Sequence, residues 1–507
     1  MTMVSDAVID ALLIVPPISP SETNPPLGPM ILARAADRHG LKVKILDLNI
    51  EYLLSFQGAA ETVETGVLGD HGKNRVFLAT AAERFFRGTG LPTTEALHLP
   101  DTADARAGMH FAFDTLHHAT ARATTDAMPW SEWLDELIFG ATTTPPSVVG
   151  ISMMGPSQVF LALVVARLVK RHWPRSVTVL GGSHVTLLSA EMAADPRYLA
   201  FVDFALPGHS EEEFAALVRD LRLGRGPATA IVPAPVPGRS FDYLPLAAAD
   251  QLRVYDPATL TMPLQFTRGC SYRRCTFCTY PVVEPALTPL HAARAVQAIN
   301  ALVSEYGLTR FSIKDSLFTV PMMLSLADEL ARAGTHVRWS ATTKATRSLV
   351  THAPRLAGAG LTTLELGVET IHPRSQRLFD KVADLGMIED VVRACADSGI
   401  AVVLNLIFGL PKESLDQAER QLDWFLRQRD RAPAGMVDGS LNLLEIVRGS
   451  PLALNPPPEV ELHGIAPWAY SYAWNAPMWR PELAERLRAV ELRSTGLTPQ
   501  AAVGADP

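Results

Sequence analysis

The chain reads as an α/β protein made of two parallel-sheet units in series: a doubly wound open sheet, then an incomplete barrel of six βα units. Three observations lead there. Short β-rich runs alternate with amphipathic helical stretches before residue 225 and again after residue 255. A stretch rich in proline, alanine and glycine separates the two series. Three of the four cysteines in 507 residues fall in one run at the head of the second series, Arg268-Gly-Cys-Ser-Tyr-Arg-Arg-Cys-Thr-Phe-Cys-Thr-Tyr280. The expected division is 1–225 for the open sheet, with a helical insertion at about 51–146, then a linker at 226–254, the barrel at 255–448 and an aromatic-rich segment at 449–507.

The first unit opens with strand Ala11 to Val15, a proline-rich loop to Pro29, a helix from Met30 to His39 stopped by Gly40, and a strand from Leu41 to Asp47. After a long, mostly helical insertion the series resumes with Ser147 to Ser152, a helix from Phe160 to Arg171, and strands Val177 to Gly182 and Val202 to Gly208. Ligands of such sheets lie beyond the carboxyl ends of the strands, where Ser152, Gly181, Gly182 and Gly208 are expected to gather. Bare glycines there let a backbone approach a large flat or phosphate-bearing ligand. His110, His117 and His118 in the insertion read as helix-surface residues or, alternatively, as metal ligands.

Gly224 to Pro245, centred on Ile231-Val-Pro-Ala-Pro-Val-Pro-Gly238, reads as an extended, semi-rigid connection. Barrel strands are expected at Leu264 to Thr267, Arg310 to Lys314, Val337 to Ala341, Thr362 to Gly367, Val402 to Phe408 and Ser440 to Ile446. Helices Leu290 to Tyr306, Met322 to Ala333 and Ile388 to Ser398 fit between them, stopped near Gly307, Gly334 and Gly399. The site of such a barrel lies at the strand C-terminal ends. Trp468, Tyr470, Tyr472, Trp474 and Trp479 either pack the open barrel edge or shape a substrate mouth. The end of the chain, from Thr498, reads as disordered.

Cys270, Cys275 and Cys278 carry the chemistry. Three thiolates can hold three irons of a 4Fe-4S cluster and leave the fourth open to a small molecule. A structural zinc site wants four ligands, and no His or Cys follows Cys278 until His291. Cys395 sits in a helical pattern as a small apolar residue. Disulfides are not expected. No signal peptide opens the chain and no uncharged apolar run reaches the ~18 residues of a membrane helix, so a reducing cytoplasm is the expected compartment.

This triplet resembles the cluster loop of the radical S-adenosylmethionine (SAM) superfamily, with four residues rather than three between the first two cysteines. That longer spacing resembles branches that include peptide-maturing enzymes. Glu369, in Leu364-Glu-Leu-Gly-Val-Glu-Thr370, resembles the family's Gly-Val-Glu element, and Asn405-Leu-Ile-Phe-Gly-Leu-Pro-Lys-Glu413 resembles the element beside the adenine, with Asn405 where a glycine is usual. The resemblance assigns Cys270, Cys275 and Cys278 to the cluster. It assigns Phe277, Asp315, Ser340, Lys344, Glu369, Asn405, Ile407 and Gly409 to SAM, with Lys344 facing the methionyl carboxylate and Phe277 shielding the cluster or packing its loop. The family uses the pair to make a 5′-deoxyadenosyl radical, with electrons from an external donor of the flavodoxin or ferredoxin type.

The first unit resembles the Rossmann-like cobalamin-binding domain that precedes the barrel in one large radical SAM class. The match lies in Pro-Pro…Leu-Gly, Val-Val-Gly-Ile-Ser152, Gly-Gly-x-His184 and Leu206-Pro-Gly-His-Ser-Glu-Glu212. It implies cobalamin on Ser152, Gly181, Gly182 and Gly208. No histidine occurs at 16–29, and Asp37-Arg-His39-Gly40 lies at a helix end, so no protein histidine is expected on cobalt. The alternative is a sheet that has lost the cofactor and serves as a lid or a substrate dock.

A net charge of −8 with no basic run excludes a nucleic-acid substrate. The leftover Cys395 cannot build a second cluster. The sequence thus leads to a cobalamin-dependent radical SAM methyltransferase acting on an unactivated carbon of a natural product or peptide. Ring formation, epimerisation or rearrangement without methyl transfer, and a non-catalytic binding protein with a structural cluster, are the alternatives.

Overall fold

The computed structural model describes residues 8–18, 24–56, 84–89, 91, 112–226, 229–231, 241–247 and 249–494. His110 and the chain from Thr498 lie outside them.

Two parallel sheets form, as the fold class predicts. In the first, β1 (Ala11–Val15), β2 (Val43–Asp47), β3 (Val148–Ser152), β4 (Val177–Gly181) and β5 (Phe204–Leu206) make a five-stranded sheet in the order β2-β1-β3-β4-β5. Every pairing is parallel. β1 is buried at all five positions, as a strand covered on both faces must be. The helix Val159–His172 shows why it sits under the sheet: apart from Arg167 and the last three residues it is apolar, and ten of its residues are buried. Strand order reverses between β1 and β3, which opens a crevice at the carboxyl ends of those two strands. Buried Gln158 holds that crevice in shape. Its Nε2 donates to Pro16 O (2.7 Å) after β1, and its Oε1 accepts from Met154 N (2.7 Å) after β3.

The second unit is an open six-stranded parallel sheet whose spatial order follows the sequence. Its strands are β6 (Met262–Leu264), β7 (Arg310–Ile313), β8 (Arg338–Thr343), β9 (Leu361–Glu369), β10 (Ala401–Phe408) and β11 (Val437–Leu443). No ladder joins β11 back to β6 among the described residues, so the barrel stays incomplete. Gly307 and Gly334 close their helices in left-handed conformation as expected.

Three expectations need correction. β6 ends at Leu264 rather than Thr267, because the amides of Phe266 and Thr267 donate to the Asp315 carboxylate instead of a ladder. β11 starts three residues earlier than Ser440, since Val437 pairs with Val402. The connection is not a free spacer where it is described. Ile231 bridges to Ala205, Leu246 N donates to Met30 O (3.1 Å), Asp242 pairs with Arg34 (3.3 Å), and 249–252 is helical. Proline-rich composition fixes an extended chain, but only tertiary contacts decide whether it docks.

The C-terminal segment binds the units together. β12 (Ile446–Val447) pairs antiparallel with β13 (Ser471–Tyr472). Trp468 is fully buried, with its ring against Tyr198 of the first unit (4.9 Å), and its carbonyl accepts from His184 Nε2 (3.2 Å). Trp474 joins a second apolar cluster with Phe379, Leu410 and Leu452. Packing is therefore what these two tryptophans do.

Candidate active site at the junction of the two sheets

The cysteine loop leaves β6 and crosses the mouth of the barrel. Gly269, immediately before Cys270, has φ +78°, and a Cβ there would run into the Ala286 carbonyl. Its amide donates to Glu284 Oε2 (2.9 Å), a buried carboxylate that also accepts from Gln265 (2.7 Å) and from the Ser316 hydroxyl. The extra residue in the cysteine spacing has a visible consequence. Arg273 takes a left-handed conformation (φ +50°), and its neighbours grip the turn after the short helix Pro373–Leu378: Tyr272 Oη donates to Asp380 O (2.7 Å), and Arg274 pairs with Asp380 through two bonds (2.6 and 2.9 Å). Thr276 adds a hydroxyl bond to Leu378 O (2.8 Å). Phe277 packs on Phe379 at 4.6 Å, so loop packing is part of its role.

The three cysteines are free thiols, each partly exposed, while Cys395 is buried in its helix as expected. Burial pushes the Cys275 thiol up to about 11 and raises that of Cys278, and the charges of neighbouring cysteines add to both shifts. Among the described residues no three ligands converge on a point that would hold a single ion. A cubane makes a different demand, since each sulfur takes its own iron and the sulfurs stand apart. Three partly exposed thiols within electrostatic reach of one another, with cations beside them, fit that demand.

Those cations are Lys344 and Lys381. Lys344 Nζ lies 3.9 Å from the centre of the Tyr272 ring, and burial and Lys381 both lower its pKa. Lys381 was not singled out from the sequence. Its Nζ bonds Glu369 Oε1 at 2.7 Å, and although burial opposes its charge, Glu369 holds the pKa above the usual lysine value. Glu369 ends β9 on a bulge. The register with β10 shifts between Asn405 and Leu406, and Glu369 has φ +65°, which turns its side chain towards the loop. Nothing in the sequence marks Lys381, which lies in a loop and reaches Glu369 only through the fold.

Alternation places Ser340, Asn405 and Ile407 on the lumen faces of β8 and β10. Ser340 is buried; Asn405 and Ile407 are half-buried. Gly409 turns with φ +70° against Arg480. Asp315 stands differently from the others. Its oxygens accept from Phe266 N, Thr267 N (both 2.8 Å) and Thr267 Oγ1 (2.6 Å), and burial raises its pKa to about 7. Its visible work is to fix the start of the cysteine loop.

The first sheet brings its glycines to the same place. Gly181 and Ser152 end paired strands. Gly182 has φ +102°, and a Cβ would collide with the Met153 carbonyl. Gly208 N donates to Thr186 Oγ1 (2.8 Å). His184 is fully buried, and burial lowers its pKa to about 4, so the ring is neutral. The helix Ser183–Leu187 touches Tyr280–Val283, the helix that follows Cys278. Arg268 pairs with Glu211 across the junction, and His209 lies 3.6 Å from Glu284. His39 sits past its helix end against Glu212 (2.9 Å), and His117 packs between Phe113 and Phe201.

Residues 264–425 match the radical SAM superfamily. The second unit is a radical SAM domain. TsrM from Kitasatospora setae, a radical S-adenosylmethionine methyltransferase solved with cobalamin and a 4Fe-4S cluster, superposes with a TM-score of 0.56 at 15% identity over 92% of this chain and 81% of that one. With tryptophan substrate and a SAM analogue bound, the same enzyme gives 0.57 at 15% identity over 97% and 90%. OxsB, a cobalamin-dependent radical enzyme, gives 0.56 at 14% identity over 92% of this chain and 64% of that one. An uncharacterized methyltransferase of Pyrococcus horikoshii is 23% identical over 54% of this chain and 62% of its own length, so less than two thirds of that relative is matched. The solved structures share the architecture of the radical SAM domain and the Rossmann-like sheet before it. No helix among the described residues is long and apolar enough to cross a membrane.

Proposed function

We propose that the protein is a cobalamin-dependent radical SAM methyltransferase acting on an unactivated carbon of a natural product or peptide. The observation that carries this reading is the contact between the helix after Cys278 and the helix after Gly182, which sets the cysteine loop against the glycine edge of the other sheet. When bound, the cluster with SAM supplies a carbon-centred radical and the corrinoid supplies a methyl group. Cys270, Cys275 and Cys278 would hold the cluster, with Glu369, Lys344, Asn405, Ile407, Gly409 and Ser340 around SAM. Ser152, Gly181, Gly182 and Gly208 would seat the corrinoid. The chain's own work is positional. Glu284 and Asp315 fix the loop before Cys270, Asp380 fixes it before Cys275, and the enclosed lumen keeps water from the reacting carbon. TsrM, whose structure holds cobalamin, and OxsB, a cobalamin-dependent enzyme, share this chain's fold and support the reading.

Anaerobic purification followed by iron, cobalt and product analysis tests this. S-adenosylhomocysteine formed alongside 5′-deoxyadenosine, with cobalt bound, supports methylation. 5′-Deoxyadenosine without cobalt uptake sinks it and leaves a radical rearrangement. Cys275→Ala is expected to lose iron and all reductive SAM cleavage; retained cleavage contradicts the cluster assignment.

A further inference from the structure

One charged group in the lumen is left without a partner. The register pairs Ile313 with Ala341, which sets Lys314 beside Thr342, and pairs Thr342 with Glu365. The three side chains therefore form one row across β7, β8 and β9 on the lumen face. Strands are about 4.8 Å apart, so the backbones of Lys314 and Glu365 stand roughly 10 Å apart. Thr342 Oγ1 donates to Glu365 Oε2 (3.1 Å), which fixes that carboxylate. The Lys314 ammonium has neither a hydrogen bond nor an ion pair among the described residues, and the side chain is exposed to the lumen. Enclosure lowers its pKa while Glu365 works against that fall, so the two groups feel each other without touching.

A cation and an anion that stand on one wall of the barrel without meeting can each take a ligand group of the opposite charge. The gap suits a molecule with a carboxylate and an ammonium on one carbon. Tyr280 supplies a wall. The residue is 45% exposed, and Glu365, Glu284, Cys278 and Tyr470 lie within electrostatic reach of its hydroxyl. A ligand held by its charged end on the row would direct its remaining carbons towards Tyr280 and the cysteine loop.

We infer that this row is the substrate bracket, taking a free α-amino acid whose carboxylate binds Lys314 and whose ammonium binds Glu365. The inference rests on the functional reading above and narrows its substrate class. Its test is equilibrium dialysis of the anaerobically reconstituted full-length protein against each proteinogenic L-amino acid. The tightest binder is then compared with its decarboxylated amine and its deaminated acid. At least one amino acid should bind, with the amine and the acid each weaker by about tenfold or more, the scale of one charged hydrogen bond. Lys314→Met should weaken the amino acid by a similar factor and leave the amine unchanged; Glu365→Gln should weaken the amino acid and leave the acid unchanged. Iron content and melting temperature at wild-type values show that the variants fold. An amine that binds as tightly as its amino acid, or variants that bind like wild type, overturn the bracket. If protein loaded with iron and cobalamin binds no amino acid, the bracket falls and the cofactor reading stands. If an amino acid binds by these rules but cobalamin is not taken up, the bracket stands and methylation falls.

Discussion

Gly182 and Glu413 show how single residues set the two sides of the site. Gly182 combines a left-handed backbone with direct contact to the Met153 carbonyl. Gly182→Ala is expected to cost about 1–3 kcal/mol and to lower cobalamin uptake, read from melting temperature and the corrinoid absorption of the purified protein. Glu413 closes the Gly409 turn by accepting Leu410 N (3.0 Å), and burial raises its carboxyl from 4.5 to about 7. A folded pKa above the unfolded one means the folded state binds the extra proton. The stabilisation is thus complete below pH 4.5 and is lost as pH climbs through 7. Glu413→Gln, which carries no such charge, should gain on wild type by roughly 3 kcal/mol across that window. Paired denaturation series at several pH values measure it, and a constant difference contradicts it.

At the scale of elements, the cysteine loop owes its shape to the end of the short helix Pro373–Leu378 and the turn after it. Tyr272, Arg274 and Thr276 all bond within Leu378 to Asp380, so the inserted residue in the cysteine spacing is absorbed by a clamp from another part of the chain. Asp380→Ala leaves the backbone bond from Tyr272 but removes both bonds to Arg274. The variant should fold with a melting temperature near wild type, since exposed ion pairs contribute little, and yet load severalfold less iron. Iron analysis after identical reconstitution decides it. Equal loading would mean the loop holds its shape without the clamp.

Across the whole molecule, Arg448 is one of the buried ties between the units. It is buried, pairs with Glu191 in the helix Ser189–Ala194 of the first unit (2.7 Å) and donates to the carbonyls of Ala466 (3.0 Å) and Pro467 (3.3 Å). Arg448→Ala leaves buried acceptors unmet and should cost about 3–5 kcal/mol. It should split thermal unfolding into separate transitions for the two sheets, visible by calorimetry; a single unshifted transition would show that the units are coupled elsewhere. Strands, helices and the cysteine triplet could all be read from the sequence because each is local: β1 is five apolar residues, the helices stop at Gly307 and Gly334, and the cysteines span nine positions. Lys381, Glu284 and Asp380 could not be read, because a polar loop residue looks the same whether it meets water or a carboxylate. Asp315 could be found but not understood, since its partners lie nearly fifty residues earlier. The sequence by itself therefore determined the two parallel sheets, their order and the presence of a three-thiol loop, all encoded by short-range pattern and spacing. Only the tertiary structure decided that the loop faces the glycine edge of the other sheet, that Glu369 is held by Lys381, and that Lys314 and Glu365 share a row, because those relations depend on which distant segments fold against one another.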